Sequence, residues 1–102
     1  MENIKALFIV VNSGFSDEVI DLARKEGARG ATVLNARGYG LAMEKIMGIS
    51  IGSEKEIVLS LVNQEIADKI MDIVKKKAGI DSPAHGICFS LPVDRATKMI
   101  GA

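Results

Sequence analysis

Arg37 stands one residue before Gly38 and three before Gly40, inside the run GARGATVLNARGYG from Gly27 to Gly40. A guanidinium binds phosphate or carboxylate oxygens in pairs, and glycines beside it let backbone N–H groups approach an anion with no Cβ in the way. Arg95 and Lys98 form a second basic cluster near the C-terminus. Together these residues have the chemistry of an anion site that needs no Walker-type loop. Plainer roles stay open to each of them. Gly27 and Gly30 suit an ordinary helix-to-strand turn, Arg37 a solvated strand end, and Arg95 and Lys98 a soluble C-terminus.

Other chemistry finds less support. Cys88 is the single cysteine, which excludes an internal disulfide or a CxxC motif and reads best as a small buried apolar residue. Met43, Met47, His85 and Cys88 are soft donors suited to copper, but they fall on separate segments, so no metal site is expected. No GxSxG or HExxH motif, no Cys/His nucleophile arrangement and no acid–base carboxylate pair is present. The reading is a binding protein, not an enzyme, with no required cofactor. Thirteen basic residues balance thirteen acidic ones, which disfavours nucleic acid as a partner. The apolar run in MENIKALFIVV is too short to span a bilayer, so a cytoplasmic location is expected.

The elements that must position these groups follow from hydrophobic periodicity. At 102 residues the chain fits a single domain over residues 1–102. Ile4 to Val11 reads as a strand closed by the turn residues Asn12, Ser13 and Gly14. A helix follows, with Ser16 as its cap, Asp17 and Glu18 at its positive end, Val19, Leu22 and Ala23 at helical spacing, and Gly27 as its stop. Strands are predicted over Ala31 to Ala36 and Glu56 to Val62. Asn63 then caps a second helix with the apolar stripe Ile66, Ala67, Ile70, Ile73 and Val74, and Lys75 to Lys77 and Gly79 close it. A last strand covers about Gly86 to Val93, where Pro92 implies an edge strand or a strand end.

The order βαββαβ makes an α+β fold, a ferredoxin-like sandwich with a four-stranded antiparallel sheet and two helices on one face. Ala6 to Val11 is apolar at every position, so part of it must point away from the helices. Self-association into a homo-oligomer is the simplest cover for that face. The segment Tyr39 to Ser53 reads as a long loop, yet it carries Leu41, Met43, Ile46, Met47, Ile49 and Ile51. Such a patch suits a protein partner, with the methionines as adaptable contacts and Ala42 to Met47 as a helical turn formed on docking. Packing of those methionines on a neighbouring subunit is the plainer alternative.

Taken with EIVLSLV, DKIMDIV and HGICFSLPVDRA, the glycine-rich run resembles the PII nitrogen-regulatory signal-transduction family, of which this chain looks like a short, T-loop-truncated member. The resemblance spans nearly the whole chain. It implies a ferredoxin-like homotrimer that binds ATP, ADP or AMP in clefts between subunits. It also implies a T-loop at about residues 39–53, with Tyr39 at its base, that engages a target protein, a membrane transporter being the best match. By position, Thr32 would lie near an adenine, and Arg37, Gly38 and Gly40 would meet the phosphates at the loop base. Gly86 would belong to the B-loop, and Arg95 and Lys98 to a C-terminal segment reaching across the subunit boundary.

The chain also departs from the family pattern. Ile87 stands where the family has a phosphate-binding lysine and Ile100 where it has an arginine, while His85 is a partial substitute only when protonated. A weaker site, a preference for fewer phosphates or a different small anion would follow. No tyrosine lies beyond Tyr39, so uridylylation of the usual kind is not expected. Two other readings share the architecture: a trimeric divalent-cation tolerance protein, and an ACT-like amino-acid sensor.

Overall fold

The computed structural model of the chain describes residues 3–39, 44–46, 49–51 and 53–97, with the backbone alone at 44–46 and 49–51. Among the described residues eight elements follow one another: β1 (Ile4–Asn12), α1 (Ser16–Lys25), β2 (Thr32–Gly38), β3 (Glu44–Ile46), β4 (Ile49–Ile51), β5 (Ser53–Asn63), α2 (Gln64–Lys77) and β6 (Ile87–Pro92). The main sheet has the order β2-β5-β1-β6, and every neighbouring pair in it is antiparallel. Pro92 ends β6, an edge strand, where its missing N–H breaks no ladder.

Alternation along the central strands divides the side chains between two faces. Leu7, Ile9 and Val11 of β1 and Val58 and Val62 of β5 pack with Val19 and Ala23 of α1 and with Ala67, Ile70 and Val74 of α2 in one buried cluster. Both helices therefore cover the same face. Each fully buried valine, leucine or isoleucine there contributes about 1.5–3 kcal/mol before the entropy of ordering it is counted. Among the described residues no helix is long and apolar enough to cross a membrane.

The helix ends show which signals act locally. Asn63 caps α2 as its sequence position implies, its Oδ1 accepting the Ile66 N–H at 2.8 Å. Gly27 stops α1 at φ +119°, with its N–H on Arg24 O and the Ala28 N–H on Ala23 O, both at 3.1 Å. These two bonds form a Schellman motif, and the left-handed backbone explains the glycine. Ser16 does not cap α1. Phe15 occupies the cap position and makes no side-chain bond, while Ser16 is the first helical residue and is buried. The anionic cap comes instead from β5, where Glu56 Oε1 accepts the Gly14 N–H at 2.9 Å and the Ser16 N–H at 3.3 Å.

The segment between β2 and β5 also differs from the expected loop. β2 runs on to Gly38 and β5 begins at Ser53, with Gly38 and Ser53 paired across the ladder. Residues 44–46 and 49–51 form an antiparallel pair, Glu44 opposite Ile51 and Ile46 opposite Ile49. Without a partner, residues 44–46 are therefore extended, in keeping with the extended preference of the β-branched isoleucines at 46, 49 and 51, and the helical turn expected for Ala42 to Met47 is one formed on docking. Leu41, Met43 and Met47 lie outside the described residues, as do the side chains of Ile46 and Ile49.

Candidate functional site

The sheet face turned away from the helices is almost wholly apolar. Register sets Leu34, Ile57, Val10 and Ile87 in one row across the four strands, Thr32, Leu59, Phe8 and Phe89 in the next, and Leu61, Ala6 and Leu91 beyond. Phe8 and Phe89 stack with ring centroids 5.1 Å apart and planes 8° from parallel. Leu34, Ile87, Phe89 and Leu91 are 42–52% exposed. Ile87, at the position where a phosphate-binding lysine would be expected, extends this apolar face to its edge.

At one end of the sheet, where the 39–53 segment leaves β2 and returns into β5, polar groups take over. Ser13, Asn35, Ala36, Arg37, Tyr39, Glu54 and Lys55 line a cleft of about 630 Å³. Arg37 is opposite Glu54 and Asn35 opposite Glu56, so register places both with the helix-side face. Glu56 is held below the ordinary glutamate range, first by the Gly14 amide and then, against the effect of burial, by Ser16. Lys55 falls in the row of Asn12 and Ala36, the same register set as the open face, and its ammonium donates to Asn12 Oδ1 at 2.6 Å.

Gly38 serves packing. A Cβ there would lie 3.1 Å from Lys55 Cε and 3.2 Å from its Cγ, so the glycine makes room for the lysine stem.

The turn before β6 lies at the same end of the sheet but on the opposite edge. Gly86 donates its N–H to Ala78 O at 2.8 Å, and a Cβ on Gly86 would collide with that same carbonyl. This demand alone accounts for the glycine. His85 is exposed at φ +51° and donates its backbone N–H to Ser82 O at 2.9 Å. Cys88, the second residue of β6, is half-buried, and burial pushes its thiol up to about 12. No group of three or more His, Cys, Asp or Glu able to hold a metal occurs among the described residues.

The predicted anion residues therefore occupy several places. Arg37 and Gly38 share the β2 edge with Tyr39, and His85 and Gly86 share the β6 edge, three interstrand steps or about 14 Å away. Thr32 lies at the start of β2 on the open face, opposite Leu59. Arg95 is exposed beyond the other end of β6, a strand roughly 17 Å long. Gly40, Lys98 and Ile100 lie outside the described residues. Among the described residues, one copy of the chain does not bring these groups around a single ligand. Sequence reasoning read Asn12 only as a turn residue and passed over Lys55, whose only signal was polarity at a strand end.

Residues 4–100 match the sequence profile described as nitrogen regulatory protein P-II. The chain belongs to the PII family. Its fold is shared by a PII-like signalling protein of Thermus thermophilus, with a TM-score of 0.67 at 20% identity over 86% of this chain and 84% of that one. GlnK of B. subtilis in its ATP complex gives 0.69 at 20% identity over 89% and 83%. Another structure of B. subtilis GlnK gives 0.69 at 18% over 89% and 85%. None of the curated proteins compared with the chain matches it. As a PII-family signalling protein, it carries the family's ferredoxin-like core together with an isoleucine on the open face before Cys88.

Proposed function

We propose that this PII-family chain is a cytoplasmic homotrimeric regulator that binds an adenine nucleotide or a related small anion between subunits. The loop from Tyr39 to Ser53 carries the resulting signal to a target protein, with a membrane transporter as the partner class. The observation that carries the reading is the placement of Arg37 and Gly38 on one sheet edge and His85 and Gly86 on the other, at the same end. Neighbouring copies packed through their apolar sheet faces would set one edge beside the next and complete a cleft that a single chain leaves divided. Thr32 supplies the base end, and Arg95 with Lys98 supplies charge from the adjoining subunit. The ATP held by B. subtilis GlnK, a protein of the same fold, supports adenine nucleotide as the first ligand to test.

Loss of the family's lysine and arginine at Ile87 and Ile100 points to weaker binding or to a ligand with fewer phosphates. Ligand and loop are coupled only if the ligand prefers one loop state. Isothermal titration of ATP, ADP and AMP into the wild type, Arg37→Ala and Arg95→Ala tests the reading. Each substitution removes charge-assisted hydrogen bonds and should weaken binding roughly ten- to a hundredfold while leaving ligand-free stability unchanged. No binding of any of the three to the wild type, or unaltered affinity in both variants, would overturn it.

A further inference from the structure

One asparagine joins the two segments that flank the proposed cleft. Asn12, the last residue of β1, accepts the Lys55 ammonium through Oδ1 at 2.6 Å, and its Nδ2 donates to Pro83 O at 3.0 Å. Its backbone N–H donates to Ala84 O at 2.8 Å. Lys55 sits on β5 two residues after Ser53, and its stem lies over Gly38, the last residue of β2. Contact therefore runs from the stem of the 39–53 segment at Gly38, through Lys55 and Asn12, to the turn that holds Gly86 against Ala78.

The chemistry of this relay is specific to a primary amide. The carbonyl side must accept from an ammonium while the NH₂ side donates to a backbone carbonyl. Aspartate would keep the first bond and lose the second, and alanine would lose both. The bond to the ammonium is the stronger one because its donor is charged. Withdrawal of Lys55 leaves the amide held by its Pro83 bond alone, so the side chain can rotate off that carbonyl more readily. Phe15 N–H on Asn12 O at 3.2 Å and Ser13 N–H on Glu54 O at 3.1 Å keep the backbone around Asn12 in place, so the side chain is the part able to change partners.

We propose that Asn12 is a positioning residue that makes the stem of the 39–53 loop and the 78–86 turn shift together, with Lys55 as the moving contact. This regulation rests on reading those two segments as the ligand-responsive parts of the protein, but the coupling itself is present without ligand.

Amide hydrogen exchange on the ligand-free protein tests it, with wild type, Lys55→Met, Asn12→Asp and Asn12→Ala compared. Lys55→Met keeps the aliphatic cover of Gly38 and should speed exchange at the His85 and Gly86 amides by about tenfold, the scale of one lost charged hydrogen bond. Asn12→Asp should produce the same acceleration at those amides and leave the 53–55 stem protected, whereas Asn12→Ala should loosen both. In every variant the interior of α2 should exchange as in the wild type. Changes in Lys55→Met confined to the β2 and β5 stem would overturn the proposal, as would equal acceleration through α2, which reports a general loss of stability. Nucleotide titration is read separately: coupled exchange in a chain that binds no nucleotide would sink the ligand reading and leave the relay standing.

Discussion

Glu56 Oε1 lies 2.9 Å from the Gly14 amide and also accepts the Ser16 amide, so a strand carboxylate closes the N-terminus of a helix that begins forty residues earlier. The arrangement places a negative charge at the positive end of α1 and fixes the β1–α1 turn to β5. Because β5 starts where the 39–53 segment ends, the same strand that leaves the loop also anchors the first helix.

Acid should undo this contact. Glu56 binds its proton less readily in the folded chain than in the unfolded one, so its contribution is complete above about pH 4.3 and disappears as pH falls through the lower folded value. Glu56→Gln should be less stable than the wild type near neutral pH, and the gap should close as pH is lowered through the carboxylate range. Thermal unfolding of both proteins from neutral pH down to about pH 3 checks this. A gap that stays constant with pH would mean that the charge is irrelevant to the cap.

The comparison of the two caps also explains what the sequence could reveal. Asn63 bonds to an amide three residues ahead, so its role follows from local spacing. Glu56 bonds to an amide 42 positions away, and only the β1–β5 pairing brings them together. Ser16 was the plausible local candidate, but it is buried and enters the helix itself. The βαββαβ order and the apolar open face were legible because strand alternation and helix stripes are periodic. Arg37 and Gly38, proposed to meet an anion, could be grouped from the sequence because they are adjacent in the chain. The placement of the other proposed residues, His85 and Gly86, on the opposite sheet edge could not, since edge order depends on long-range pairing. Lys55 escaped notice for the same reason: its partners Asn12 and Gly38 come from two other strands.

Gly86→Ala would be a poor probe of ligand binding. The added Cβ meets the Ala78 carbonyl that accepts the Gly86 N–H, so the turn must move and lose that bond. Forced overpacking of this kind costs about 1–3 kcal/mol. Urea unfolding should show that loss with no ligand present. Unchanged stability together with lost nucleotide binding would assign Gly86 a contact role instead.

Cys88 should resist thiol reagents in the folded protein. With burial holding its thiol near 12, only about one molecule in ten thousand is thiolate at pH 8. Labelling by an aromatic disulfide should be slow in buffer and rapid in denaturant. Fast labelling of the native chain would show that β6 opens readily or that the thiol is less shielded than its packing against the core implies.

Phe89→Asp tests what covers the open face. Phe89 stacks on Phe8, is 42% exposed and lies in a row continued by Leu59 and Thr32, so a partner burying this face would have to desolvate the new carboxylate. The helix-side core is untouched, because Leu7, Ile9 and Val11 face the other way. Sedimentation equilibrium should therefore find a trimer for the wild type and a folded monomer for Phe89→Asp, with far-ultraviolet circular dichroism nearly unchanged. Nucleotide affinity should fall with the trimer if the cleft is completed between copies. A Phe89→Asp protein that remained trimeric would exclude this face as the contact, whereas a monomer that bound nucleotide at full affinity would remove the need for a second edge and place the whole site within one chain.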